Sequence, residues 1–262
     1  MPLRAALFDI GDTLVEHWAP RERVNALAIA SLRRAFGERD WYERFLAAEL
    51  GPNARSLTSL EPHRPPSEKD LRQETLRWYG DWLRGSSVDL AEIDLDRLRS
   101  AVVVPLDLVS TLVPGAAEAL RWCRANRLRV VLVTNTLARG DAEVADDWRR
   151  FGLSDTIDGA VSSHSVGWQK PHPRIFERAL DIAGVVAADA VMIGDRLDAD
   201  VLGASRLGMR TVLRRTPHPQ DAVDVRPDAA VDDLTELPAV LGAWLGVPTA
   251  HQTSREDGTA GP

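Results

Sequence analysis

Short apolar runs alternate with amphipathic stretches along most of this chain. Five runs end in polar or glycine-rich residues: ALFD at 6–9, VVLVTNT at 130–136, GAVSS at 159–163, AVMIGD at 190–195 and RTVLR at 210–214. Most of their positions are apolar in succession rather than in alternation, the pattern of strands buried on both faces of a parallel sheet. Helical stretches lie between them, over Pro114–Asn126, Ala142–Phe151, Pro173–Ala183 and Asp200–Leu207. Strands alternating with helices predict an α/β fold, a doubly wound parallel sheet with right-handed crossovers.

Residues from about Trp18 to Val109 break that rhythm. ERVNALAIASLRRAF, WYERFLAAEL, SEKDLRQETLRWYGDWLRG and DLAEIDLDRLRSAVVV are all helix-like by spacing, with Ser67 and Asp70 as a weak start signal for the third. The expected organisation is an α/β core over 1–17 and 107–248, an inserted helical cap over 18–106 and a disordered tail over 249–262. Inside the insertion, GPNARSLTSLEPHRPPS is rich in Pro, Ser and Gly and reads as a mobile loop. Hinges are expected near His17–Pro20 and Pro105–Ser110.

Composition narrows the function classes. The 262 residues are 44% hydrophobic and 27% charged, which is globular, and the net charge of −7 recommends neither a nucleic acid nor an anionic membrane as partner. Cys123 is the sole cysteine, so no internal disulfide and no cysteine-based zinc cluster can form. No apolar segment approaches the roughly 18 residues that a membrane helix needs, and a cytoplasmic monomer or homodimer is expected. Lys69 and Lys170 are the only lysines among 32 basic residues. A chain that uses Arg by default keeps a Lys where a compact ammonium on a flexible stem is wanted.

In open α/β sheets, ligands bind beyond the carboxyl ends of the strands. Those ends carry the chain's unusual chemistry: Asp9 and Asp12, then Thr134 and Asn135, then Lys170 in the loop after the third strand, then Asp195, Asp198 and Asp200. The ordered pieces FDIGDTLV, VTNT, QKPHPRIF and MIGDRLDADVLGA resemble the haloacid dehalogenase superfamily, mostly phosphatases, with a Rossmann-like core and a helical C1-type cap after the first motif. The resemblance covers residues 5 to about 240. It implies that Asp9 is a nucleophile forming an aspartyl-phosphate, and that Mg²⁺ is held by Asp9, the Gly11 carbonyl and Asp195, with Asp200 as further acidic support. It also implies that Thr134 and the Asn135 backbone bind phosphoryl oxygens and that Lys170 neutralises phosphate and nucleophile. Asp198, between the two metal-site acids, is read as a solvated or capping residue.

One departure stands out. In most phosphatases of this superfamily the residue two after the nucleophile is an Asp that serves as general acid and base; here it is Gly11. Asp12 stands one residue too late, and its side chain is expected to leave the turn in another direction. The function expected is a Mg²⁺-dependent phosphatase of a small phosphorylated metabolite, working on a good leaving group or with a substitute acid, for which His17 is a candidate. The alternatives are a catalytically impaired domain that binds a phosphorylated ligand or protein partner, and a phosphonate hydrolase using Lys69. Dehalogenation fits the residues after Asp9 less well. Trp78 and Trp82, four apart on one helical face, are expected to pack in the cap core.

Overall fold

The computed structural model describes residues 3–50, 71–217 and 223–246. Lys69, Arg55, the 51–67 loop, the start signal at Ser67 and Asp70, and the 249–262 tail lie outside these residues. Eight strands follow in chain order: β1 (Ala5–Phe8), β2 (Val15–His17), β3 (Ser110–Leu112), β4 (Arg129–Thr134), β5 (Gly159–Ser162), β6 (Ala190–Gly194), β7 (Arg210–Arg214) and β8 (Ala229–Val231). Six of them form one parallel sheet in the order β5-β4-β1-β6-β7-β8.

The apolar runs are explained by what covers the two faces. Side chains alternate across a strand, so Ala5 and Leu7 face one side while Ala6 and Phe8 face the other. The first side packs on α8 (Pro173–Ala183) and α9 (Leu202–Arg206), together with Val131, Val133 and Met192. The second packs on α5 (Ala116–Ala125), α6 (Asp141–Arg150) and α10 (Leu237–Leu245), with Val130, Leu132 and Ile193. Both faces are covered by helices, so most strand positions on either face are apolar. β1 lies at the centre, and the chain passes to β4 on one side and β6 on the other. That is the switch point at which strand ends leave a crevice.

The four other long helical stretches build on a core of their own. They are α1 (Arg21–Phe36), α2 (Tyr42–Leu50), α3 (Leu71–Gly85) and α4 (Leu95–Val102). Phe45 is fully buried among them, with Tyr79, Trp82 and Trp78 rings at 5.1, 5.1 and 6.0 Å. DLAEIDLDRLRSAVVV is not one helix: it breaks at Ile93, because Asp94 accepts the Arg97 N–H at 2.9 Å and caps a new start at Leu95. Among the described residues no helix is long and apolar enough to cross a membrane.

Two chain crossings join this helical block to the sheet, and both are pinned. β2 and β3 pair antiparallel across them, an element the apolar pattern did not suggest because each strand has only three residues. The exposed His17 ring meets Ser110 Oγ there at 2.6 Å through Nδ1. On the second crossing, the buried Asp147 of α6 accepts the Leu106 N–H at 2.8 Å and pairs with Arg139, whose guanidinium also donates to Val104 O at 2.6 Å. Burial pushes the Asp147 carboxyl up, against the pull of Arg139. Asp147→Ala would strand a buried guanidinium, at a cost of about 3–5 kcal/mol. We expect a melting temperature lower by on the order of 10 °C; a thermal melt shifted by less than about 2 °C would remove this pairing as a determinant of the crossing.

Candidate active site

The crevice at the carboxyl ends of β1, β4 and β6 gathers the acidic residues singled out in the sequence. Asp9 continues β1 by one residue, its N–H donating to Ile193 O at 2.9 Å. Asp195 directly follows β6, and Asp200 lies four residues past Arg196 on a turn of π-helix over Leu197–Val201. All three carboxylates are buried, and each offers an oxygen within 4.8 Å of the others. The helix expected from Asp200 therefore begins differently: the π turn carries Asp200 inward, and the α-helical part runs only over Leu202–Arg206.

Lys170 reaches this cluster from the loop before α8. Its Nζ lies 2.5 Å from Asp9 Oδ1 and 2.7 Å from Asp200 Oδ1, and donates to Val133 O at 2.8 Å. Burial by itself would lower the ammonium's pKa, but the Asp200 and Asp9 charges outweigh it and hold it at about 12. Its two carboxylate partners thus favour the charged form of the lysine. Burial, then the Asp9 and Asp200 charges, push Asp195 up to about 8. Burial likewise lifts Asp200 to about 6, opposed by Lys170. Three buried carboxylates facing one ammonium are short of positive charge. An all-oxygen donor set of this kind suits a hard divalent cation such as Mg²⁺.

Supporting contacts fix each member. Gly194 has no side chain for a clear reason: a Cβ there would stand 2.3 Å from Asp200 Cγ. Asp200 Oδ2 also accepts the Arg196 N–H at 3.1 Å. The Asn135 side chain forms a two-point clamp on the lysine's own backbone, Oδ1 accepting Lys170 N–H at 2.8 Å and Nδ2 donating to Lys170 O at 3.0 Å. Thr134 is nearly buried at the end of β4, and its hydroxyl makes no hydrogen bond among the described residues. That leaves it free to donate to a ligand.

Asp198 is not solvated. It is buried and forms a two-point pair with Arg196, at 2.9 and 2.6 Å, because the π turn folds the two side chains together. Thr13 is a site residue that the motif reading passed over. Its fully buried hydroxyl lies 3.2 Å from Asp9 Oδ2 and 3.3 Å from Asp195 Oδ1, tying β1 to β6. A hydroxyl four residues beyond Asp9 was the available signal. Gly11 is half-buried in the turn, and a Cβ built on it would meet nothing within 4 Å.

Two predictions test the charge imbalance and the packing around it. Asp195→Asn should melt higher than wild type without metal, since it removes one of the mutually repelling carboxylates, and should lose any Mg²⁺-induced rise; an unchanged metal-free melt and an intact Mg²⁺ response would contradict it. Gly194→Ala should melt lower by roughly 1–3 kcal/mol equivalent, the usual cost of forcing an extra methyl into a packed site, as followed by urea unfolding.

Comparisons with known proteins agree with this arrangement. The haloacid dehalogenase-like hydrolase family matches residues 3–208. The chain is 31% identical over 243 residues to the glyceraldehyde 3-phosphate phosphatase of Methanopyrus kandleri, covering 90% of this chain and 95% of that protein. It is 37% identical to the bovine haloacid dehalogenase-like hydrolase domain-containing protein 3, but over only 107 residues, 41% of each chain. Among solved structures, a phosphatase of the same superfamily from Thermococcus onnurineus is similar with a TM-score of 0.55 at 23% identity, over 92% of this chain and 98% of that one. The 2-haloacid dehalogenase of Pseudomonas syringae gives 0.55 at 25% identity, over 92% and 99%. With the family matched over residues 3–208, which hold four of the six strands of the sheet, the helical block and every carboxylate of the crevice, this chain belongs to the haloacid dehalogenase-like hydrolases and is an enzyme of the hydrolase class.

Proposed function

We propose that this hydrolase is a Mg²⁺-dependent phosphatase of a small phosphorylated metabolite, with residues 18–106 as a cap over the crevice. The observation that carries the reading is the buried Asp9–Lys170 pair beside Asp195 and Asp200. The Methanopyrus and Pyrococcus abyssi relatives named glyceraldehyde 3-phosphate phosphatase, matched over 90% and 80% of this chain, support it. Halopiger ribulose-1,5-bisphosphate 5-phosphatase, matched over 48% of this chain, is likewise named as a phosphatase of a small phosphorylated metabolite.

In this reading an Asp9 carboxylate oxygen forms a bond to phosphorus while the bond to the leaving oxygen breaks, the electron pair departing with the leaving group. Water then attacks the aspartyl-phosphate, the bond to Asp9 breaks, and inorganic phosphate leaves with the carboxylate restored. Lys170 offsets the charge of the carboxylate and of the incoming phosphoryl group. Thr134 donates its free hydroxyl to a phosphoryl oxygen, and the Asn135 backbone N–H adds a second donor. Asp9, Asp195 and the Gly11 carbonyl would hold Mg²⁺, with Asp200 in support. Bound there, the ion supplies the positive charge that the three carboxylates lack and draws density from the phosphoryl oxygens.

Gly11 limits the substrates. A positioned general acid contributes about 10²- to 10⁴-fold in rate, and no acid stands at that position, so leaving groups that depart without a proton are favoured. Acyl phosphates and activated esters meet that condition. The exposed His17 ring is engaged with Ser110 and is not drawn toward the cluster.

Phosphate release should require Mg²⁺ and fall steeply as the pKa of the leaving group rises across a graded series of esters and acyl phosphates. Release without metal, a flat series, or chloride release from a 2-haloacid in place of phosphate release would overturn the reading. Asp9→Asn should abolish turnover in a protein that still melts cooperatively. Gly11→Asp would place its Cβ in open space and should raise turnover of poor leaving groups by about tenfold or more, with little effect on good ones.

A further inference from the structure

The turn that follows Asp9 is closed by its own amides and clamped from a distant strand. Thr13, Leu14 and Val15 all donate their N–H groups to Ile10 O, at 3.3, 2.8 and 3.0 Å, and Asp12 N–H donates to Val15 O at 2.9 Å. Asp12 occupies this turn with φ +53°, in the left-handed region that residues with a Cβ disfavour. Glycine, the residue that adopts this conformation freely, stands one position earlier, at Gly11, which lacks a positive φ. Asp visits this region more readily than most residues with a Cβ, and besides its own four amide bonds the turn has a hold from outside it.

Arg214 supplies that hold. It ends β7, and its Nη1 donates to the Asp12 carbonyl, 202 residues away in sequence. The β6–β7 register pairs Gly194 with Leu213, which sets Arg214 at the position beside Asp195. Its side chain is half-buried, with Nε sealed from solvent. The Asp12 carbonyl and the Thr13 N–H share one rigid peptide plane. A hydrogen bond on that carbonyl thus orients Thr13, whose hydroxyl spans Asp9 and Asp195.

We propose that Arg214 is a positioning residue: through the Asp12 carbonyl it holds the turn in the conformation that aligns Thr13, and with it Asp9 and Asp195. Its catalytic consequence rests on the phosphatase reading; its structural consequence does not.

The deciding measurement is amide hydrogen exchange of the full chain without added metal, in wild type, Arg214→Met and Arg214→Lys. The Met variant keeps bulk and loses the donors, and should speed exchange of the Thr13, Leu14 and Val15 amides about tenfold or more while β4 and α8 stay protected. The Lys variant, with one ammonium in reach, should recover most of that protection. Exchange in the turn within about twofold of wild type for the Met variant, or acceleration spread evenly over the sheet, would overturn the inference. With acetyl phosphate and Mg²⁺, the Met variant should lose about tenfold in kcat with KM nearly unchanged. Its Mg²⁺ midpoint in thermal-shift titration should rise, and Lys should restore both. A loss confined to KM, or equal in the two variants, would remove the catalytic role. Were wild type to release no phosphate, the proposed function would fall while the exchange result still decided the clamp.

Discussion

Burying three carboxylates against one ammonium is the constraint around which the crevice is arranged. Lys170 touches Asp9 and Asp200 and a strand carbonyl at once, and its side chain is 2% exposed. Taking charges out of water is costly unless each is paired and hydrogen-bonded, so every neighbour of this lysine is itself fixed. Asn135 grips the lysine's backbone, Gly194 yields the space that Asp200 fills, and the Arg196 amide takes the remaining oxygen of Asp200. In the proposed function, it is the residual negative charge that would draw a cation and, with it, a phosphoryl group.

The surrounding architecture supplies rigidity where this charge is concentrated. The three strands that deliver Asp9, Thr134 and Asp195 are neighbours in a sheet covered on both faces, so their ends move little relative to each other. Thr13 then bridges two of those ends with one hydroxyl. The helical block, by contrast, reaches the sheet through two crossings. The loop after β4 serves as its seat: Ala138 O accepts from Arg99 of α4, whose guanidinium also pairs with Glu143 at 2.8 Å. The placement of the helices is thus tied, through residues 136–140, to the strand end that carries Thr134 and Asn135.

Much of the fold was readable in advance because its cause is local. Five of the six strands of the parallel sheet announce themselves as apolar runs, since burial on both faces confines their polar residues mostly to the strand ends. β8 and the β2–β3 pair did not, being three residues each and too short to show a pattern. The candidate site was legible to the extent that strand ends are legible: Asp9, Thr134, Asn135, Lys170, Asp195 and Asp200 all stand at the ends of runs or in the loops beyond them. Asp198 was read as solvated or capping; its burial against Arg196 was not legible, because sequence spacing does not reveal a π turn.

The sequence by itself therefore determined the layered α/β plan, the helical insertion and the set of acids and the lysine that the strand ends carry, because hydrophobic period and strand termination are properties of neighbouring residues. It also determined that Gly11 brings no acid to the turn. Only the tertiary structure decided which carboxylate faces which cation, that Asn135 grips Lys170 through its side chain, that Thr13 joins two strands and that Arg214 holds the carbonyl of Asp12. Those contacts join residues 35, 182 and 202 positions apart. No local pattern encodes them, since they exist only once the sheet has set its strand order and register.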